Sequence, residues 1–293
     1  MKKLKLQWIS EIIGNEYEKW EKGDIVLLEA QTGTGKTLFI EDKLIPHLKV
    51  HEKLLLICNR TNLKRQLKIY LLNRFGQEKL IPRDKNGNLL VEGLDKITTI
   101  NGNITIKSYQ AISDDILDQQ YFAGGYLNKC DLSVYDYIVC DEVHFLLADG
   151  GFNNKCRIAH EELVINYSIH AINIFISATM ENVSDSIKSH IKKLDGYEPK
   201  LFEYNTGIDY SYLDIKYFNN NLDIIINKIK NDITDEKWLI FVSNKKDAIK
   251  IESSLGTKIC SKIFSGSKSI ELDSILNHCK FEKKSSCHNK GLG

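Results

Sequence analysis

Five short apolar runs punctuate the first two thirds of the chain: IVLLEA at 25–30, KLLLIC at 53–58, NITIKS at 103–108, DYIVCDE at 136–142 and INIFISAT at 172–179. They are rich in Ile, Val and Leu and mostly unbroken, the pattern of strands buried on both faces. Between them, segments such as TLFIEDKLIPHLKV and TNLKRQLKIYLLNRF carry apolar residues at helical spacing. Buried strands alternating with amphipathic helices predict an α/β doubly wound core, a mainly parallel sheet with helices on both faces.

After residue 205 the alternation starts again. NLDIIINKIK reads as a helix, KWLIFVSN as a buried strand, KKDAIKIESSL as a helix and TKICSKIFSG as a further strand. The intervening LDGYEPKLFEYNTGIDYSYLDIKYF is aromatic and turn-rich and is expected to contain the joint between an N-terminal domain, 1–205, and a second one, 206–293. The roughly 85 residues beyond the joint are short for a complete α/β domain.

Composition changes this picture little. Hydrophobic residues make up 42% and charged residues 27%, and the net charge is +1, so any basic surface must be local. No apolar run approaches the roughly 20 residues that span a bilayer, and MKKLKLQW lacks the apolar stretch of a secretory signal. A cytoplasmic protein with no membrane partner is the expectation. The seven cysteines are scattered and never form C-x-x-C, which fits reduced, structural thiols. The eight histidines show no zinc-type spacing, so no structural metal is expected.

The chemistry gathers at strand ends. EAQTGTGKT, Glu29 to Thr37, packs two glycines, a lysine and a threonine where the first strand stops. Glycines permit positive φ and close main-chain approach, so this stretch suits a polyphosphate held by backbone N–H groups and a helix N-terminus. It fits the phosphate-loop pattern G-x-x-x-x-G-K-[ST] except that Ala30 replaces the first glycine. Gly33, Thr34 and Gly35, with Thr32 beside them, would form the cradle, Lys36 would bridge the β- and γ-phosphates, and the Thr37 hydroxyl would hold Mg²⁺. Such a cradle needs an acid on a neighbouring strand end. DYIVCDEVHF supplies Asp141 for Mg²⁺ and Glu142 to orient and deprotonate water.

AQTGTGKT, DEVH and SAT, in this order on successive strand ends, resemble the DEAD/DEAH-box group of superfamily 2 helicases. That group has A-x-T-G-x-G-K-T, so Ala30 matches it. NRTNLKRQ echoes its P-R-x-x-L-x-x-Q motif with Asn59 in place of proline, SYQAI echoes its T-x-x motif, and WLIFVSNKKDA resembles the opening of its second RecA-like domain. The likeness runs over roughly residues 5–280. It implies a RecA-like P-loop NTPase domain plus part of a second RecA-like domain, with Mg-ATP bound and DNA or RNA as partner. It also implies that Ser177 and Thr179 of SAT, together with His144, couple the nucleotide site to nucleic acid, and that Arg60 and Ser108 contact phosphates. Gln7, beside Trp8, would recognise adenine.

Taken without the resemblance, Arg60, Lys64 and Lys68 at i, i+4, i+8 read as a basic, solvent-facing helix stripe beside Leu63, Leu67 and Leu71. The group's V-L-I-A-T-like strand and Q-R-x-G-R-like helix are not found, which implies a second domain cut short and weak ATP hydrolysis. A frameshift near Ser285 and Ser286 would account for the ending EKKSSCHNKGLG, because another frame permits V-L-V-T-T-K there. Two other readings stay open: a non-hydrolysing, ATP-dependent nucleic-acid-binding module, and the motor piece of a restriction or defence complex with partner subunits.

Overall fold

Seven strands build one sheet in the order β3-β4-β2-β5-β6-β1-β7. They are β1 Ile25–Glu29, β2 Leu54–Cys58, β3 Thr99–Ile100, β4 Ile104–Ser108, β5 Tyr137–Asp141, β6 Ile172–Ser177 and β7 Leu201–Asn205. All neighbours are parallel except the β3–β4 pair. This computed structural model describes residues 6–59, 61–121, 131–148, 154–165, 169–191, 199–208, 221–233, 238, 240–242 and 244–256. The chain divides into two units, Met1–Tyr212 and Leu213–Gly293, and the sheet lies in the first.

The buried strands form because each face of the sheet has its own cover. Val26, Leu28, Leu54, Leu56, Val139, Ile174 and Ile176 face one apolar cluster, with residues from α1 Ile9–Ile13, α2 Lys36–Phe39 and α4 Thr61–Arg74. Leu27, Leu55, Ile57, Ile138 and Phe175 face the other, with residues from α6 Tyr109–Tyr121, α7 His144–Ala148, α8 Asn154–His160 and α9 Glu181–Ile191. Alternation at period two along strands apolar on both sides gives the doubly covered sheet. All five strands predicted before residue 205 are present. The expected α/β layering with helices on both faces is what forms. Cys58 and Cys140 are buried thiols outside any disulfide, and they belong to opposite clusters.

Two strands were not anticipated. β3 joins β4 through Asn101 and Gly102, both at positive φ (51° and 77°), as a tight hairpin turn demands. β7 lies inside the turn-rich stretch and is an edge strand paired in register with β1, Ile25 opposite Leu201 and Glu29 opposite Asn205.

The helix after β1 is not uniform. α2 passes through a π turn at Ile40–Leu44 into α3, Ile45–His47. Pro46 has no amide hydrogen to close the α-type bond to residue 42, and the wider turn precedes it.

α4 forms over the predicted segment, but its basic residues do not face solvent as expected. Lys68 is buried, at 2% exposure, and its Nζ donates to the carbonyls of Leu94, Asp95 and Ile97 at 3.2, 3.3 and 2.5 Å. These carbonyls end α5, Val91–Lys96, so the ammonium satisfies acceptors that the helix itself leaves open. Lys64 pairs with Asp95 at 3.3 Å, and Arg65 bonds the same carboxylate through Nη2. Lys64 and Lys68 thus lie in a seam between helices, a packing that spacing within α4 cannot reveal. Lys68→Met keeps the aliphatic stem and removes the donor. It should cost about 1–3 kcal/mol in urea unfolding, and an unchanged midpoint would show that the seam does not need the charge.

In the second unit, α10 Leu222–Lys230 and α11 Lys245–Leu255 are the two predicted helices. Asn221 and Asn244 cap them, accepting from Asp223 N and Asp247 N. Lys250 joins Asp223 at 2.9 Å, and Ile226 and Ile251 are buried. The expected buried strand at KWLIFVSN is not formed over its described residues, 238, 240–242 and 244, and Phe241 is 87% exposed. A strand needs a ladder partner, and among the described residues of this unit there is none. TKICSKIFSG and the ending EKKSSCHNKGLG lie outside the described residues. Among the described residues no helix is long and apolar enough to cross a membrane.

Candidate nucleotide site

The carboxyl ends of β1, β5, β6 and β7 converge on one edge of the sheet, where ligands of such folds bind. The loop after β1 is tied from three sides. Ala30 N–H donates to Ser177 O at 2.8 Å, and Ile9 N–H donates to Thr34 O at 3.0 Å. Gln31 N–H donates to the Thr206 hydroxyl at 3.1 Å. Inside the loop the Thr34 hydroxyl donates to Gln31 O at 2.7 Å, so Thr34 is buried and spends its side chain on shaping the turn.

Gly33 and Gly35 stand at φ +88° and +86°, which side chains rarely tolerate. At Gly35 there is a second demand, since an added Cβ would lie 2.9 Å from Trp8 Cε3. The main chain can therefore come close both to Trp8 and to a ligand. α2 starts at Lys36 and leaves its first N–H groups without intrahelical acceptors. Thr32 and Thr37 are exposed at the loop, and Gln7 is exposed beside it, its own N–H donating to Thr206 O at 2.9 Å.

Lys36 Nζ reaches Glu142 Oε1 at 2.8 Å. Glu142 has φ +53°, and its other oxygen lies 3.3 Å from His144 Nδ1. His144 Nδ1 is also 2.8 Å from Ser177 Oγ, whose hydroxyl donates to Thr179 O and accepts from Thr179 N–H, both at 3.0 Å. With that hydroxyl committed as a donor, Nδ1 carries the proton and donates. The expected His144, Ser177 and Thr179 group is thus contiguous with Glu142.

Asp141 sits behind this pair. Its Oδ1 is buried and has no hydrogen-bond partner. Burial first, and the adjoining Glu142 charge second, push its carboxyl up to about 6, against a smaller opposing pull from Lys36. A buried carboxylate oxygen without a donor suits a cation. Among the described residues no three His, Cys, Asp or Glu side chains group as a metal site. Asp141 and the exposed Thr37 hydroxyl are the oxygen donors here that could hold an ion such as Mg²⁺ if phosphate oxygens completed its shell. A separate cavity of about 420 Å³ between β1, β7 and α9 is lined by Glu29, Glu181, Asp185 and Glu203, charges that repel a polyphosphate.

Ser108 ends β4 and is buried. Its Oγ accepts from Ala111 N–H at 3.2 Å, capping α6, so its hydroxyl serves the helix. Arg60 lies outside the described residues. Three participants escaped sequence reasoning. Thr206 braces the loop and Trp8 backs Gly35, while Tyr109 donates its hydroxyl to Asp141 O at 2.9 Å. Only Trp8 carried a signal, an aromatic next to Gln7.

The family model of the type III restriction enzyme, res subunit, matches residues 2–182, well over half of the 293-residue chain. The chain belongs to this family. As a res-subunit family member it carries the superfamily 2 helicase core that the strand-end motifs resemble. No curated protein matches it. Among solved structures, a variant of S. cerevisiae Dbp5 bound to Nup159, a Gle1 variant, IP6 and ADP is similar with a TM-score of 0.42 at 16% identity. The alignment covers 87% of this chain and 64% of that one, so this chain spans less than two thirds of the Dbp5 chain's length.

Proposed function

We propose that the chain is an ATP-driven motor core acting on DNA or RNA, with Mg-ATP seated on the loop from Thr32 to Thr37. The observation that carries this is the Lys36–Glu142 contact at 2.8 Å beside the unpartnered Asp141 oxygen. Lys36 is already placed to exchange Glu142 for phosphate oxygens. Released from the lysine, Glu142 orients the attacking water and takes its proton. Asp141 and Thr37 hold Mg²⁺, which neutralises charge developing on the phosphates. Gln7 meets the adenine. Arg60 and Ser108 contact a nucleic-acid backbone, and His144, Ser177 and Thr179 relay between the two ligands. Residues 206–293 supply part of a second RecA-like domain, and the protein works in the cytoplasm.

Phosphate release with and without single- and double-stranded DNA or RNA tests this reading. Lys36→Ala should lower release at least about 10²-fold, the scale for losing one preorganised charge donor. Nucleic-acid stimulation that survives the substitution would count against the site. Nucleotide affinity without turnover would instead identify a non-hydrolysing binding module. The family match favours a third outcome, the motor piece of a restriction complex, in which partner subunits co-purify with the chain.

A further inference from the structure

The backbone at Glu142 adopts a shape that a glutamate does not choose. Its φ of +53° is left-handed, where Cβ crowds the following carbonyl oxygen. Such a residue persists only if its surroundings hold the peptides on both sides. On the carboxyl side, Val143 N–H donates to Ile176 O at 3.0 Å. On the amino side, the carbonyl of Asp141 accepts from Tyr109 Oη at 2.9 Å.

Tyr109 is placed to do this by topology. It opens α6 directly after β4, and β2 stands between β4 and β5. The side chain and its 2.9 Å hydrogen bond together bridge two inter-strand spacings, roughly 9.6 Å, a reach suited to tyrosine and beyond shorter side chains. The ring is fully buried and stacks on Phe145 with centroids 6.3 Å apart at 24°, so it cannot swing to another acceptor. Burial holds the phenol well above its ordinary pKa, and the hydroxyl remains a donor.

We infer that Tyr109 is a positioning residue for Glu142: its hydroxyl pins the Asp141–Glu142 peptide, which aims the Glu142 carboxylate at Lys36 and at the attacking water. The role in turnover rests on the proposed hydrolysis; the role in geometry does not. Without the pin the peptide rotates, residue 142 relaxes to negative φ, and its carboxylate leaves Lys36. Because the hydroxyl touches neither the phosphate loop nor Thr37, nucleotide affinity is spared.

Tyr109→Phe keeps the ring and its packing and deletes only the donor, so the variant folds. Its kcat for phosphate release should fall about 10-fold or more, the worth of one lost hydrogen bond in the transition state, with KM for ATP within about twofold. Its crystal structure should show residue 142 outside the left-handed region and the contact with Lys36 broken. Turnover equal to that of the parent protein, or residue 142 unmoved in the variant, overturns the inference. If the parent releases no phosphate with any nucleic acid, it is the hydrolase reading that fails, and the variant's crystal structure alone decides the positioning role.

Discussion

Glu142→Gln should lower phosphate release about 10²- to 10³-fold, the usual contribution of a positioned general base, while Mg-ATP affinity stays within about threefold. The amide keeps the volume and one acceptor oxygen for Lys36, so the 2.8 Å contact can persist, but it cannot take a proton. Stopped-assay phosphate release and calorimetric titration separate the two effects. A variant with parental turnover would remove Glu142 from the chemistry, whereas one that no longer binds nucleotide would make the residue part of the cradle.

Asp141→Asn should stabilise the metal-free protein at neutral pH by about 1–3 kcal/mol, the linkage value of a carboxyl raised by about two units and discounted for its incomplete burial. The sign follows from the proton count. Unfolded, this group titrates near 3.8, and folded at about 6. Between those values the folded state binds more protons, so wild-type stability falls as pH rises from about 4 to about 6 and stays low above. Asparagine does not titrate. The two proteins should therefore unfold at similar urea concentrations near pH 4 and differ fully at pH 7.5, both in EDTA. Equal stability at pH 7.5 would mean that the buried oxygen carries no penalty.

Four of the five central strands were legible because strands covered on both faces must be continuously apolar, and IVLL, LLLIC, YIVC and INIFI leave no polar face to mislead, while β4, ITIKS, showed itself by alternating buried Ile104 and Ile106 with half-buried Thr105 and Lys107. The helices around them followed from the same alternation, and the site residues of three strand ends from their order. β7 was hidden because LFEYN owes its extended state to β1 alongside it, a partner more than 170 residues away in sequence. β3 had a local signal, the Asn101-Gly102 pair, but two residues of strand give no periodicity to read. Lys68 was misread because helical spacing shows which residues share a face and not what packs there. Tyr109 was invisible for a related reason: its partner lies two strands over, and nothing in SYQAI says how far a phenol must reach.

Neighbouring strands β2 and β5 place Ile57 opposite Cys140, so Cys58 is one step out of that register and projects from the other side of the sheet. Two sulfurs so arranged have diverging Cα–Cβ bonds and cannot meet without breaking the ladder. Exposure to oxygen will not staple β2 to β5 through this pair. Purification of the protein need not rely on reductant to keep these two thiols apart.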